Sequence, residues 1–320
     1  MKVADVKKVA VVGTGLMGHG IAQVFALGGY PVAIYDKDPA RVQAANAGIG
    51  RNLDLFRERG LVTAEEGQAA LARLRPCTDL SDAVGDVDFV MEAVFEDLSV
   101  KQQVLAEIAN AAPERTVIAS NTSGLNVNLM GPATSRPDRV IVAHFSNPPH
   151  IIPVVEVVKG DQTSDETVDL TVDLLRKVGK YPVVLRRHIA GFIWNRLQYA
   201  MFREAVGIVE KGIASPEDID NVIKLGLGRR YTTVGPLETA DINGLALFHQ
   251  IAQYLYPELD ASQGPHAIHS KLIEEGANGV VAGRGFYDWS GGKADAARQR
   301  RDDELIRWLK ADQEKAKSGQ

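Results

Sequence analysis

The sequence predicts a mostly parallel, doubly wound α/β domain followed by an all-helical domain, and three observations carry that reading. Short β-branched runs alternate with longer helical patterns through the first 187 residues, as crossover-linked parallel strands require. A glycine-rich turn, Gly13-Thr14-Gly15-Leu16-Met17-Gly18, follows the first of those runs. Beyond about Arg187 the periodicity is helical. The expected domains are residues 1–187 and 188–320.

The elements follow in order. VAVVG (9–13), VAIYD (32–36), VDFVMEAV (87–94), TVIAS (116–120), RVIVAHF (139–145), IPVVEVV (152–158) and YPVVL (181–185) read as strands. Segments starting at Ile21, Pro39, Ser99 and Asp165 read as helices. Residues 40–75 hold more helix than one crossover needs, which predicts a helical excursion projecting from the sheet. In the second domain, helices are expected over Ile189–Gly212, over Ser215–Gly226 and from Gly235 onward. Ser215-Pro216-Glu217-Asp218 combines an N-cap, a first-turn proline and acids set against the helix dipole. The charge-rich final stretch, ADAARQRRDDELIRWLKADQEKAKSGQ, reads as a solvated helix that frays at its end.

Composition bounds the function. At 320 residues, 45% apolar and 24% charged, the chain is an ordinary globular protein with material for two domains. Its 36 basic and 41 acidic residues leave a net charge of −5, which argues against nucleic acid as the main partner. The single cysteine, Cys77, can form neither an intrachain disulfide nor a cysteine-based zinc site, so no metal is expected and a reducing compartment fits. No run reaches membrane-spanning length and MKVADVKKVA leads straight into a strand, so the cytoplasm is the expected setting.

The glycine turn has the context of a dinucleotide site. Gly13 makes the tight turn, Gly15 lets backbone N–H groups approach a pyrophosphate, and Gly18 lets the helix pack closely on the strand. A second strand ends at Asp36, eighteen residues beyond Gly18, where a carboxylate can accept both ribose hydroxyls and repel a 2′-phosphate. The cofactor expected is NAD, with Lys37 and Arg41 as the features that would favour NADP. The domain is Rossmann-type, and its chemistry belongs outside the carboxyl ends of its strands.

His144 and Glu156 lie near such an end, in HFSNPPHIIPVVEVV. Pro148 and Pro149 forbid a helix, and the valines and isoleucines after them read as a strand buried on both faces. Glu156 is the exception in that run. A carboxylate buried there needs a partner, and His144 across the proline turn is the nearest candidate; otherwise Glu156 faces water at a sheet edge and His144 is an ordinary core histidine. Ser123 in SNTSGL also follows a strand end, and Asn195 in GFIWNR opens the helical domain.

SNTS, HF-x-NP, the acid of VVEV and AGF-x-x-NR, together with the glycine fingerprint, resemble the L-3-hydroxyacyl-CoA dehydrogenase superfamily over essentially the whole chain. The resemblance implies that His144 is the general base taking the hydroxyl proton, a task suited to imidazole near neutral pH. Glu156 would hold the ring, and Ser123 and Asn195 would donate to the substrate oxygen. Gly13, Gly15, Leu16, Met17, Gly18, Asp36 and Asn121 would contact the cofactor. Glu96 and Lys101 match positions lining the cofactor crevice, with a solvated helix start as the alternative for both. Asn147 either helps hold the nicotinamide or its loop, or is an Asx-type turn residue before Pro148.

Within the superfamily, NPP-x-x-IP, NRLQYA, GLG-x-RY, GPLET and RRDDELIRWL resemble the lambda-crystallin branch of L-gulonate 3-dehydrogenases, and NPPHIIP also resembles a bacterial hydroxymethylpyridine-acid type dehydrogenase. The resemblance implies a small polar carboxylate as substrate. Arg229 and Arg230 could grip it bidentately, or could be a pair complementing a helix C-terminus. The expected activity is therefore NAD-dependent oxidation of the 3-hydroxyl of a small L-3-hydroxy acid. The alternatives are an acyl-CoA substrate, for which the basic residues Arg51, Arg57 and Arg59 of the excursion would matter, and a non-catalytic NAD-binding or crystallin-like structural protein. Neither nucleic acid nor membrane is an expected partner, and a homodimer through the helical domain is.

Overall fold

A computed structural model describes residues 1–318. The chain forms two compact units, one of Met1–Asn195 with the residues from Arg301 onward, the other of Arg196–Arg300. Both limits differ from the expected division at 187/188, for a physical reason. Phe192 is fully buried in the core of the first unit, and Ile306, near the end of the chain, is 4% exposed in a cluster of that same unit.

The first unit is built on one eight-stranded sheet. Its strands are β1 (Val9–Val12), β2 (Val32–Tyr35), β3 (Leu74–Cys77), β4 (Phe89–Glu92), β5 (Val117–Ser120), β6 (Val140–Phe145), β7 (Val154–Val158) and β8 (Tyr181–Leu185), in the spatial order β3-β2-β1-β4-β5-β6-β7-β8. All neighbours are parallel except β6 and β7. The order reverses at β1, the switch point beside which a dinucleotide fold binds its ligand. Strand β3 is absent from the sequence reading because LRPC is short, contains Pro76 and has no β-branched residue.

Helices cover both faces. They are α1 (Gly18–Leu27), α2 (Pro39–Glu58), α3 (Ala64–Ala72), α4 (Leu80–Val84), α5 (Leu98–Ala111), α6 (Val127–Met130) and α7 (Asp165–Lys177). Strand alternation sorts the core into two layers. Val9, Val11, Phe89 and Met91 pack with Ile21 and Phe25 of α1 on one face. Ala10, Val12, Val90 and Ile118 pack with Leu105 and Ile108 of α5 on the other. The excursion does not simply project. Helix α2 starts where Asp38 caps the N–H of Ala40 ahead of Pro39, buries Val42, Ala45, Ile49, Leu53 and Phe56, and continues through α3 into β3, so it is a crossover in its own right.

The second unit contains most of α8 (Trp194–Glu210), then α9 (Pro216–Val222), α10 (Gly228–Tyr231), α11 (Pro236–Asn243), α12 (Leu245–Leu255), α13 (Ala267–Glu274) and the first turns of α14 (Lys293–Ser318). The Ser215 side chain accepts from the N–H of Asp218 with Pro216 in the first turn, as expected. The helix expected over Ser215–Gly226 instead passes into a π-helical stretch, Ile223–Leu227, that leads into α10. Helix α8 begins at Trp194 rather than Ile189, because Gly191 and Phe192 hold φ angles of 76° and 50° that no α-helix accommodates. The last helix is only partly solvated: Ile306 is buried and Leu305 and Leu309 pack beside it. Its end beyond Ser318, expected to fray, lies outside the described residues.

Candidate active site

The turn after β1 is shaped for close approach of a phosphate. Gly13 has a φ of 92°, and a side chain there would meet the Ala93 backbone at 2.6 Å. A side chain at Gly18 would stand 1.8 Å from the Gly13 carbonyl oxygen, whereas at Gly15 nothing lies within 4 Å. The first and third glycines are thus fixed by packing and the second presents open backbone, which fits a pyrophosphate. Asp36 is buried at the end of β2; its Oδ2 accepts from the N–H of Thr14 at 2.9 Å and its Oδ1 from Asp38 at 3.1 Å. Oδ1 keeps a lone pair for a ribose hydroxyl, while Oδ2 also faces the Thr14 hydroxyl at 3.5 Å. Leu16 is 69% exposed on this turn and Met17 is half-buried.

His144 and Glu156 face each other across the antiparallel β6–β7 pair. His144 Nδ1 is 2.9 Å from Glu156 Oε2, and both residues are buried. Glu156 therefore does not sit at a wet sheet edge. Its other oxygen, Oε1, accepts from the backbone N–H of Ile193 at 2.8 Å and of Trp194 at 2.9 Å, at the start of α8. Burial alone would raise its pKa, but the bonds from His144, Trp194 and Ile193 outweigh it and hold the carboxyl below its ordinary range. A carboxylate only accepts, so the ring proton on Nδ1 points at Glu156 and a neutral His144 keeps its lone pair on Nε2.

Phe192 makes this arrangement possible. A non-glycine residue at a φ of 50° costs about 1–3 kcal/mol. Its fully buried ring, 5.6 Å from that of His144 and 6.0 Å from that of His188, returns about as much through the area removed from water. The reversal turns the next two N–H groups onto Glu156. Phe192 lies in the AGF-x-x-NR motif, but only the glycine before it hints at the left-handed turn.

Ser123 and Asn195 are brought together: Asn195 Nδ2 donates to the Ser123 carbonyl at 2.9 Å. One amide hydrogen of Asn195 is thereby engaged and the other remains for a ligand. Ser123 is exposed, and its N–H donates to Glu96 Oε1 at 2.8 Å, which also takes the Thr122 hydroxyl. Lys101, on α5, is not solvated: it is fully buried, with Nζ 2.8 Å from Glu92 Oε1 and 3.4 Å from Glu96 Oε2. Glu92, itself buried and bonded by the Ser120 hydroxyl and the Val94 N–H, is what draws the ammonium inward. Sequence reasoning missed Glu92, although an acid inside an apolar strand is the same signal that singled out Glu156. The buried Asn121 braces two strand ends, its Oδ1 accepting from Phe145 N at 2.8 Å.

Asn147 is exposed in the proline turn, before a cis peptide to Pro148. That turn is held by Lys180, a second residue missed in the sequence. Its ammonium, pushed down to about 7 by burial, donates to the carbonyls of Pro149 at 2.7 Å and Ile152 at 2.8 Å. Burial, with His19 and Lys180 nearby, pushes His150 down to about 3. Arg229 and Arg230 are exposed at the end of the short α10 in the other compact unit.

Comparison with known proteins adds family evidence to this geometry. The family described as 3-hydroxyacyl-CoA dehydrogenase, NAD binding domain, matches residues 8–188, and the corresponding C-terminal domain matches 191–289. Residues from 290 onward lie beyond both. The 5-formyl-3-hydroxy-2-methylpyridine 4-carboxylate 5-dehydrogenase of Mesorhizobium japonicum is 32% identical over 94% of this chain and 96% of its own length. Lambda-crystallin of Oryctolagus cuniculus is 38% identical over 77% of each chain. Among solved structures, an NAD+-dependent dismutase described as a dehydrogenase of the same pyridine carboxylic acid superposes with a TM-score of 0.90, covering 96% of this chain and 99% of its own, at 31% identity. The (S)-3-hydroxybutyryl-CoA dehydrogenase of Ralstonia eutropha gives 0.76 at 35% identity, covering 90% of this chain and 100% of its own.

Proposed function

Because this chain belongs to the 3-hydroxyacyl-CoA dehydrogenase family and its first domain is that family's NAD-binding domain, we propose that it oxidises the hydroxyl of a small L-3-hydroxy acid to the ketone. The observation that carries the reading is the buried His144–Glu156 pair, tied through the N–H groups of Ile193 and Trp194 to the helix start that places Asn195 on Ser123. Bound NAD supplies the hydride acceptor. His144 Nε2 takes the hydroxyl proton, and Glu156, kept ionised by its three donors, stabilises the imidazolium that results. The remaining amide hydrogen of Asn195 and the hydroxyl of Ser123 donate to the oxygen as negative charge develops on it.

A free acid is favoured over a thioester by the carboxylate in the name of the pyridine-acid dehydrogenase, whose solved counterpart superposes over nearly the whole chain. Arg229 and Arg230 are the proposed fork for that carboxylate. The exposed apolar helices of the second unit support a homodimer formed through it. Intact Ser123, His144, Glu156 and Asn195 speak against a purely structural role.

One panel tests the substrate class: NADH formation with gulonate, 3-hydroxybutyrate, carnitine, pyridine alcohols and 3-hydroxybutyryl-CoA. A free acid should be turned over well, and replacing the responsible arginine, Arg229→Ala or Arg230→Ala, should cost roughly 2–4 kcal/mol in KM for it, with NAD binding unchanged. Lysine there should rescue only partly, because a point charge lacks the fork. Turnover of the CoA thioester far above every acid, retained in both variants, would overturn the small-acid reading.

A further inference from the structure

The end of the chain lies beyond the segments matched to the family, and it is not idle. From Arg301 onward, α14 packs in the first unit. Ile306 is buried against Phe56, Leu61 and Ile151, with Leu305 and Leu309 beside it. Phe56 and Leu61 belong to the excursion, at and just after the end of α2. Ile151 belongs to the proline turn, the connection that joins the strand of His144 to the strand of Glu156. The helix is therefore seated where the excursion meets the frame of the candidate dyad. The same turn is fixed from its other sides: a side chain at Gly20 of α1 would meet Pro149 at 2.7 Å, and Lys180 holds two of the turn's carbonyls.

Charge follows the apolar seat. Arg59 forms an ion pair with Asp303 of the last helix, and Arg57 pairs with Asp54 of its own helix at 3.2 Å. Lys310 Nζ stands 3.7 Å from the point where a side chain at Gly60 would begin. A phosphate-bearing substrate arm needs basic groups with free donors and a clear surface to lie on. At this face the last helix occupies the surface, and its Asp303 withdraws Arg59 and adds a negative charge that would repel a phosphate.

We propose that residues 301–318 are a specificity element, a wall that closes the excursion face beside the proline turn to substrates carrying a long polyphosphate arm and so restricts the site to small acids. The proposal rests on the small-acid reading above but is tested separately from it. The probe is coenzyme A itself, titrated calorimetrically into the full-length protein, wild type against Asp303→Asn and Ile306→Asp. The first substitution frees Arg59 without disturbing the apolar seat, since Asp303 is 41% exposed. The second unseats the helix.

Coenzyme A should bind wild type weakly and each variant about tenfold or more tightly, and adding Arg59→Ala to Asp303→Asn should abolish that variant's gain. Catalytic efficiency of Asp303→Asn with the preferred free acid should stay within about twofold, because that substitution leaves the apolar seat beside the proline turn intact. If Ile306→Asp does not fold, Asp303→Asn alone decides. Equal coenzyme A affinity in wild type and variants overturns the proposal, and so does tight wild-type binding that unseating the helix abolishes, since the helix would then be part of a CoA site. A wild type that turns over no free acid defeats the small-acid reading alone, because the coenzyme A titration does not depend on turnover.

Discussion

The two units differ in where they keep their apolar side chains. In the first, every residue of β1, β4, β5 and β6 is buried, and both faces of the sheet are filled from its own helices. In the second, α12 contains Leu245, Leu247, Phe248 and Leu255 yet buries none of its residues, and Leu237 and Ile242 of α11 are 81% and 70% exposed. A sheet covered on both faces completes its own core. A set of helices with that much apolar surface in water is far from its free-energy minimum, as each such side chain forgoes about 1.5–3 kcal/mol of burial. A division of labour is proposed: the first unit holds the chemistry on a self-sufficient scaffold, and the second holds two chains together. Substitutions in the first should therefore change turnover without changing assembly, and substitutions on α12 should do the reverse.

The largest effect should come from His144→Gln. Loss of a general base typically removes about 10²–10⁴-fold in kcat, while NAD affinity and the oligomeric state should hardly move. Near wild-type turnover under conditions where chemistry limits would show that another group takes the proton. A change in assembly would break the division itself.

Next is the apolar face of α12. Phe248→Asp and Leu245→Asp should each weaken self-association by about 2–4 kcal/mol, the scale of a central interface residue, turning a dimer into a monomer at micromolar concentration in sedimentation or light scattering. If wild type is already monomeric, or if both variants remain dimeric, the homodimer through this unit is wrong.

Asp36→Ala should follow at roughly 1.5–3 kcal/mol of NAD affinity, the worth of hydrogen bonds to a charged group, with NADP gaining on NAD once the repelling carboxylate is gone. Fluorescence titration of both cofactors measures this. Equal affinities in wild type would remove Asp36 from its role.

The same contrast explains how much could be read from the sequence. Seven of the strands are visible because β-branched residues in short runs leave little alternative, and Glu156 stood out because an acid among valines demands a partner. Strand β3 was hidden by Pro76 and by the lack of any β-branched residue. Lys180, the buried partners of Lys101 and the left-handed turn at Phe192 were hidden for a different reason. Lysines look like surface residues in a linear chain, and a left-handed phenylalanine has no sequence mark, because what fixes each is a buried acceptor or cavity contributed from elsewhere. The seat of Ile306 was likewise masked by the charges around it. Local preference is legible; long-range compensation is not.

The smallest effect separates the two partners of the dyad by pH. Glu156 has a folded pKa below its ordinary range, because the bonds from His144, Trp194 and Ile193 exceed the penalty of burial. A depressed carboxyl contributes stability that is fully present above the unfolded value, about 4.3, and that is lost as pH falls through the lower folded value. Unfolding free energy measured by urea titration should therefore decline in wild type below about pH 4.3 with a contribution that Glu156→Gln lacks. The glutamine can still accept from one N–H of the α8 start but presents no charge to His144, so this variant should also be less stable than wild type at neutral pH. His144→Gln keeps the carboxylate and both backbone donors but removes the largest of the bonds that depress it, so its acid slope should be shallower than that of wild type. If Glu156→Gln and wild type lose stability in parallel from pH 5 down to 3, the carboxylate is not held by these bonds, and the tie between the dyad and the start of α8 fails with it.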